Sequence, residues 1–359
     1  MKAIFIDHIL RRAGRKKRRP LITHYSLLIF ASCCSLLAYS QDINFSQFYE
    51  LPLLRNPALS GLFTGDLRVT SAFRNQWGAV TVPYRTQALG AELKFGVSSV
   101  DYLAIGVQIT NDVAGDSKLG KTAIMPTLTF HKSVNGDKDT YISLGFLGGP
   151  VQQRFDPSKL TFDDQFVNGS YSSTNPTRQM FTNTNITYYD ASVGLLFSSV
   201  FGNDVKYYLG ASYFHFTQPK VAFSSANDIR LNKKLMFNGG LAAPTSDMDK
   251  VIFYADVFSQ GGSTQTQGGV MYKHDLVQED VDDAVSLSAG VFMRWNDAVM
   301  PLIKLDYYKL GLGLTYDVNT SKLRSASNAR GGFEVTASYR TFLNIRNSSA
   351  AAVRCPVAF

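Results

Sequence analysis

Residues 310–317 read Leu-Gly-Leu-Gly-Leu-Thr-Tyr-Asp, in which large apolar residues alternate with small or polar ones. Because successive side chains of a strand point to opposite faces, such a segment has one apolar and one polar face. The same alternation recurs at 89–95, 103–110 and 333–340. Strands that cross an outer membrane need about 9–11 residues, apolar towards lipid and polar towards the lumen. The pattern therefore predicts an all-β, transmembrane β-barrel of the outer membrane.

About fourteen antiparallel strands can be assigned in this way, and an even number is expected of a bacterial single-chain barrel. The longest connections, 151–187, 217–234 and 318–331, follow odd-numbered strands, and those after even-numbered strands are shorter. This asymmetry is typical of long outer loops and short periplasmic turns. The predicted strands are 66–76, 85–96, 101–112, 120–132, 139–150, 188–199, 204–216, 235–243, 250–259, 266–275, 284–295, 299–308, 310–317 and 332–342.

A secreted β-sandwich is the main alternative fold, since its strands would also alternate. Its strands would be shorter, about 5–6 residues, and would contain fewer glycines. In the barrel, charged residues in the polar phase of the strands are expected to face the lumen. An Arg or Lys that faced lipid near the midplane would cost about 2–4 kcal/mol. These residues are Arg68, Arg74, Glu92, Lys94, Glu334 and Arg340.

The first forty residues predict a secretory signal peptide. A basic region ends at Arg19, an apolar stretch covers 21–37, and Ala38-Tyr39-Ser40 is a small-x-small cleavage site. A membrane anchor and a lipoprotein signal at Cys33 or Cys34 are the alternatives. The formal charge of the whole chain is +8, but the leader holds most of this excess and leaves 28 basic against 27 acidic residues. No nucleic-acid partner is therefore expected.

Four regions are predicted: the signal peptide (1–40), an N-terminal periplasmic or plug segment (41–65), the barrel (66–342) and a periplasmic C-terminal tail (343–359). The second region is rich in apolar residues, and Pro52 and Pro57 disfavour a continuous helix there. We expect it either to plug the periplasmic mouth of the barrel or to dock on a partner.

No catalytic, cofactor or metal site is predicted, and the protein is expected not to be an enzyme. His131, His215 and His274 lie on separate predicted strands and lack metal-ligand spacing. Asp163-Asp164 lacks a series of calcium ligands. The sequence also shows no pairing of a nucleophile with a base.

Tyrosines at the predicted strand ends indicate aromatic girdles at the two membrane interfaces. An aromatic platform for sugar binding is the alternative. The tyrosines concerned are Tyr102, Tyr141, Tyr188, Tyr189, Tyr207, Tyr208, Tyr307 and Tyr308.

The two ends of the mature chain are more distinctive than its strands. The opening run 41–49 is followed by Arg55-Asn56-Pro57-Ala58-Leu59-Ser60-Gly61 and by Phe73-Arg74-Asn75-Gln76-Trp77. Near the end are Tyr316-Asp317-Val318-Asn319-Thr320, then 325–334, and the final run Arg354-Cys355-Pro356-Val357-Ala358-Phe359. Together these motifs resemble the PorP/SprF family of type IX secretion system membrane proteins from the Bacteroidetes, over residues 41–359. The last run departs from the family at Val357-Ala358, where a basic residue and then Phe would be expected.

The resemblance implies an outer-membrane protein, in contact with lipid, that works with the secretion and gliding machinery. It also implies periplasmic ring lipoproteins and secreted surface adhesins as partners. A porin or small-solute transporter is the alternative function. A porin should conduct ions, whereas a lumen filled by bulky side chains such as Phe292 and Tyr308 should not. The candidate partner-docking or plug residues are Phe45, Phe48, Tyr49, Arg55, Asn56, Pro57, Arg74, Trp77, Cys355 and Phe359.

Overall fold

A computed structural model gives the fold of residues 42–343, except for 77, 79–81, 99, 136–138, 168, 173, 180, 203, 225–226, 278–283, 322–326 and 328. Within these residues, fourteen strands pair antiparallel in sequence order, and the last pairs with the first to close a barrel. The sixteen strands of the described chain include a separate two-stranded hairpin, β6–β7. They are β1 Leu67–Gln76, β2 Tyr84–Gly96, β3 Tyr102–Ala114, β4 Leu119–Asn135, β5 Thr140–Arg154, β6 Phe166–Val167, β7 Ser170–Tyr171, β8 Asn185–Phe201, β9 Val205–Phe214, β10 Lys234–Pro244, β11 Asp249–Gln260, β12 Ser263–Val277, β13 Val285–Arg294, β14 Ala298–Tyr307, β15 Leu310–Asn319 and β16 Arg330–Thr341.

Each barrel strand corresponds to one predicted segment, with ends that differ by at most four residues. In β15 the leucines and Tyr316 are exposed on the outer surface, while Gly311, Gly313, Thr315 and Asp317 are buried inside. The six charged residues predicted to face the lumen are all buried or half-buried. The prediction of a barrel with a polar interior and an apolar exterior is therefore confirmed.

The two ends of the barrel differ in the length of their connections. One end carries 155–184, 215–233 and 320–329, and the opposite end carries tight turns such as 245–248 and 308–309. Because outer-membrane barrels place long loops outside and short turns in the periplasm, we call these the outer end and the inner end. In the described part of the chain no helix is long and apolar enough to span a membrane.

The girdle prediction is wrong for four of the eight tyrosines. Tyr188 and Tyr189 are chain neighbours, so strand alternation places Tyr188 inside, 7% exposed, and Tyr189 outside, 74% exposed. Phe292 faces the lumen as expected, but Tyr308 lies in the turn at 308–309 and is exposed. The four tyrosines that face inward are Tyr102, Tyr141, Tyr188 and Tyr208.

Candidate functional site

Residues 42–66, which we call the lumen segment, lie inside the barrel. The segment makes three single 3-10 turns, Phe48–Glu50, Pro52–Leu54 and Pro57–Leu59. Two of these turns begin with proline, which has no N–H to donate and is therefore tolerated at the start of a turn. The segment thus forms a chain of short turns rather than a continuous helix.

The lumen segment runs from the outer end of the barrel to the inner end. Asp42 contacts Lys121 and His215, which lie beside outer connections. At the other end, the Asp66 amide donates to the Thr341 carbonyl at the end of β16. The sequence predicted a periplasmic or plug segment at 41–65, and in the structure residues 42–66 lie along the height of the lumen rather than only at its periplasmic mouth.

Arg55 forms a buried ion pair with the barrel wall. Its Nη2 lies 2.6 Å from Asp256 Oδ1, and the two side chains are 4% and 0% exposed. Nη1 donates to Tyr208 Oη at 2.8 Å, and the guanidinium lies 5.0 Å from the centre of the Phe48 ring. The Asp256 carboxylate thus compensates the buried positive charge of Arg55, and the aromatic ring covers one of its faces.

Asn56 and Pro57 fit into a groove made by wall glycines. Asn56 Nδ2 donates to the Leu195 carbonyl at 3.0 Å and to Asn238 Oδ1 at 3.1 Å. The Pro57 carbonyl accepts from Thr129 Oγ1 at 2.8 Å. A Cβ at Gly145 would overlap Pro57, and one at Gly194 would overlap Asn56. Because Gly145 and Gly194 are directly paired across β5 and β8, their lack of side chains opens one continuous groove.

The motifs at the two ends of the chain meet in one buried network. The amides of Ser46 and Gln47 donate to the two oxygens of Glu334, each at 2.7 Å. Arg74 Nη2 lies 2.6 Å from Asp317 Oδ2, and Ser46 Oγ donates to Asp317 Oδ1 at 2.5 Å. Arg74 also donates to the Asn44 carbonyl. Four of the sequence motifs that carry the family resemblance therefore hold one another in place.

An aromatic cluster fills the lumen below this network. The Tyr49 ring stacks on Tyr254 at 5.0 Å and on Phe292 at 5.3 Å between centroids. Phe48 meets Phe292 edge-on at 5.6 Å. Such ring pairs add about 0.5–1.5 kcal/mol each beyond the area that they bury. The lumen segment is thus packed like a protein core against its own wall.

At the outer end, Asp42 is held by a charged cluster. His215 Nε2 lies 2.6 Å from Asp42 Oδ2, and its Nδ1 lies 2.5 Å from Asp190 Oδ2. Lys121 and Lys234 lie 3.3 and 3.9 Å from Asp42. Burial alone would raise the pKa of Asp42, but Lys121 and His215 lower it well below its usual value. Burial alone would lower the pKa of His215, but Asp42 and Asp190 raise it to about 9.

Most of the predicted site residues come together in the lumen. Trp77, Cys355 and Phe359 lie outside the described residues, so their docking or plug role stays a prediction. Sequence reasoning missed the wall partners Asp256, Asn238 and Tyr254. For Asp256 a signal was available, because it is an acidic residue at an inward-facing position of β11. Among the described residues, no group of His, Cys, Asp or Glu is arranged to hold a metal ion. The residues placed in or on the lumen are Phe45, Phe48, Tyr49, Arg55, Asn56, Pro57 and Arg74.

Comparison with solved structures gives matches of low sequence identity, each with a TM-score under 0.5. The toluene transporter TbuX of Ralstonia pickettii is 9% identical, with a TM-score of 0.48, over 80% of this chain and 93% of TbuX. A mutant of the monoaromatic hydrocarbon channel TodX is 12% identical, with a TM-score of 0.43, over 82% and 94% of the two chains. CdiB from Escherichia coli is 9% identical, with a TM-score of 0.42, over 76% of this chain and 63% of CdiB. No curated protein matches the sequence.

The protein-family model described as "Type IX secretion system membrane protein PorP/SprF" matches residues 37–339. The match includes the lumen segment and reaches into β16. With the closed barrel, it places the protein in the outer membrane. The chain therefore belongs to the PorP/SprF family of type IX secretion system membrane proteins.

Proposed function

We propose that this protein is a non-enzymatic component of the type IX secretion and gliding apparatus. It supports the export or surface anchoring of large adhesins and contacts periplasmic ring lipoproteins. The observation that carries the proposal is that the lumen is occupied by residues 42–66 of the same chain. A barrel filled in this way offers two rigid faces to partners, one at each end. Family membership supports the assignment to the apparatus.

The contacts of the lumen segment argue against a porin or small-solute transporter. Opening the lumen would break Arg55–Asp256, Arg74–Asp317 and the contacts with Glu334. Breaking one buried ion pair costs about 3–5 kcal/mol. A solute of ordinary affinity would have to offset several such losses in each transport cycle.

The first experiment tests the assignment in cells of the source bacterium. The gene is deleted and then restored as wild type, and adhesins at the cell surface are quantified by protease shaving and mass spectrometry. We expect one or more large surface adhesins to fall on deletion and to return on restoration. Unchanged adhesins, together with reduced uptake of a small solute, would favour the transporter instead.

The second experiment tests the periplasmic contact. Residues 344–359 are removed, and periplasmic ring proteins are recovered by crosslinking and pull-down. If the tail docks on them, the barrel still assembles while recovery of ring proteins and display of adhesins both fall. Cys355→Ser is the matched control and should leave both unchanged. If truncation also leaves both at wild-type levels, the tail has no docking role.

A further inference from the structure

A cavity of about 70 Å³ lies at the inner end of the lumen, between the lumen segment and the wall. We call it the inner pocket. Tyr49 and Glu50 line it from the segment, and Lys273, Ser288 and Lys304 line it from β12, β13 and β14. It is therefore bounded by the plug above and by three neighbouring strands on one side.

The strand register places two lysines on either side of a serine. Lys273 is directly paired with Ser288, and Ser288 is directly paired with Lys304. Directly paired residues project to the same face with Cβ atoms about 4.5–5.5 Å apart. Two ammonium groups therefore flank one hydroxyl on the lumen face.

Two hydroxyls of this pocket have no hydrogen-bond partner among the described residues. Ser288 Oγ and Tyr49 Oη are both buried, and Ser288 is 1% exposed. An unsatisfied buried hydroxyl costs about 1–3 kcal/mol, and each can donate one hydrogen bond. In the described part of the chain, Lys273 makes one ion pair, with Asp275 at 3.7 Å, and Asp275 is shared with Lys250. Three donors thus face the same small space.

The charges of the pocket leave room for one anion. Lys304 lies 2.5 Å from Glu50 and 3.4 Å from Asp306, and Asp306 is shared with Arg340 at 3.2 Å. Arg55 and Arg68 also line the pocket, but each is paired with a carboxylate of its own. The other linked groups leave one positive charge in excess; they are the cations Lys250, Lys273, Lys304 and Arg340 and the carboxylates Glu50, Asp275 and Asp306. The side chains of Lys273 and Arg340 are 21% and 27% exposed, in contrast to the sealed Arg55–Asp256 pair. The inner pocket can therefore be reached from the inner end.

We propose that the inner pocket binds one carboxylate of a peptide segment presented from the periplasm. The carboxylate oxygens accept hydrogen bonds from Ser288 and Tyr49 and pair with Lys273. The aliphatic part of the ligand packs on Met271 and Ile252, which also line the pocket. One excess charge matches a carboxylate better than a phosphate dianion. The proposal rests on the periplasmic contact of the proposed function and names its chemistry.

The test uses the purified full chain in detergent and the probe peptide acetyl-Gly-Leu-Glu-Leu-Gly-amide, whose single charge is its glutamate. Its glutamine counterpart and inorganic phosphate are the comparison ligands, and binding is measured by calorimetry. Loss of a charge-assisted hydrogen bond predicts about tenfold weaker binding of the acidic peptide to Lys273→Gln and to Ser288→Ala. Lys273→Arg should retain binding. Lys132→Gln is the matched control, because Lys132 also pairs with an aspartate near the inner end but does not line the pocket.

Equal binding of the acidic and glutamine peptides to the wild type would overturn the proposal, and this comparison does not depend on any variant folding. Phosphate bound more tightly than the acidic peptide would assign the pocket to a free oxyanion and would also overturn it. Adhesin display in cells that carry Ser288→Ala separates the two proposals. Normal display with lost peptide binding contradicts the pocket as the periplasmic contact and leaves the proposed function standing.

Discussion

Individual polar residues hold the lumen segment to the wall, and Arg55 is the clearest case. Its guanidinium has two kinds of partner, the Asp256 carboxylate and the aromatic rings around it. Removal of the cation leaves a carboxylate buried inside the barrel with Gln267 Nε2, at 3.3 Å, as a remaining donor. Removing one partner of this ion pair is therefore expected to cost more folding free energy than the intact pair contributes.

Arg55→Met is accordingly expected to destabilise the folded protein by about 3–5 kcal/mol. Guanidinium unfolding in detergent micelles, followed by circular dichroism, measures the change. Arg230→Met is the matched control, since Arg230 pairs with Asp228 on the exposed surface, where such pairs contribute about 0–1 kcal/mol. Adding Asp256→Leu should restore part of the loss. Equal effects of Arg55→Met and Arg230→Met would contradict the assignment.

His215 makes the stabilising contribution of the charged cluster around Asp42 depend on pH. Its pKa is raised to about 9, against about 6.5 in the unfolded chain, so its stabilising contribution is fully present below pH 6.5. The contribution is lost as the pH rises through about 9. As the pH is raised from 6.5 to 9.5, the midpoint of unfolding should therefore decrease for the wild type and should decrease less for His215→Gln. His274→Gln, at an exposed position, should keep the wild-type dependence. An identical pH profile for His215→Gln would exclude this role.

The sequence predicts that charged residues of the strands face the lumen, but it does not predict which residues they contact there. Arg74 and Glu334 can be assigned to the lumen because alternation is a local property of each strand. That Glu334 meets Ser46 and that Arg74 meets Asp317 depends on how the chain folds back through the barrel, over separations of 288 and 243 residues. Arg55 and Asn56 were identified through the family resemblance alone, whereas Pro57 was also singled out because proline disfavours a continuous helix.

At the scale of elements, the strands are predictable and the lumen segment is not. Fourteen strands have a repeating apolar face, and lipid requires that face to be continuous. Residues 42–66 have no period, and their path is set by wall features such as Gly145 and Gly194. The short β6–β7 hairpin in the 155–184 connection was also missed, because two-residue strands carry no pattern.

The glycine groove predicts that the cost of a Gly→Ala substitution depends strongly on its position in the wall. In Gly194→Ala the new methyl group overlaps Asn56, so the segment must shift, and overpacking of this kind costs about 1–3 kcal/mol. Gly120→Ala in β4 is the matched control, because its nearest neighbour atom would be 3.6 Å away. Limited proteolysis of the lumen segment compares the two variants. If Gly194→Ala is cleaved no faster than Gly120→Ala, the groove does not position the segment.

The lipid-facing side of β15 predicts that the free-energy cost of a charged residue depends on its depth in the membrane. Leu314→Arg places a cation near the middle of an exposed apolar strand face and should cost about 2–4 kcal/mol. Leu310→Arg, on the same face at the inner end of the strand, should cost about 0–1 kcal/mol. The fraction of folded barrel, read from heat-modifiable gel mobility, should rank them in that order. The reverse order would contradict the register of β15.

At the scale of the whole molecule, the barrel and its plug are one structure with a common core. Phe48 and Leu59 of the segment belong to the same buried cluster as Ile252 and Met300 of the wall. The barrel strands therefore acquire part of their packing from a segment that precedes them in the chain. Sequence reasoning left open whether residues 41–65 plug the mouth or dock outside, since both would be equally apolar.

A filled lumen makes a direct prediction about conductance. The purified wild-type protein should show little ion conductance in planar bilayers, because the lumen segment is packed against the wall from Asp42 to Asp66. Deletion of 41–61 removes the aromatic cluster and the Arg55, Asn56 and Pro57 contacts, and the variant that still assembles should conduct. Deletion of 166–171, which form the hairpin in an outer connection, is the control and should leave conductance at the wild-type level. Large, stable channels in the wild type would contradict the sealed lumen and would favour a porin, since ions would then pass the segment while it remains in place.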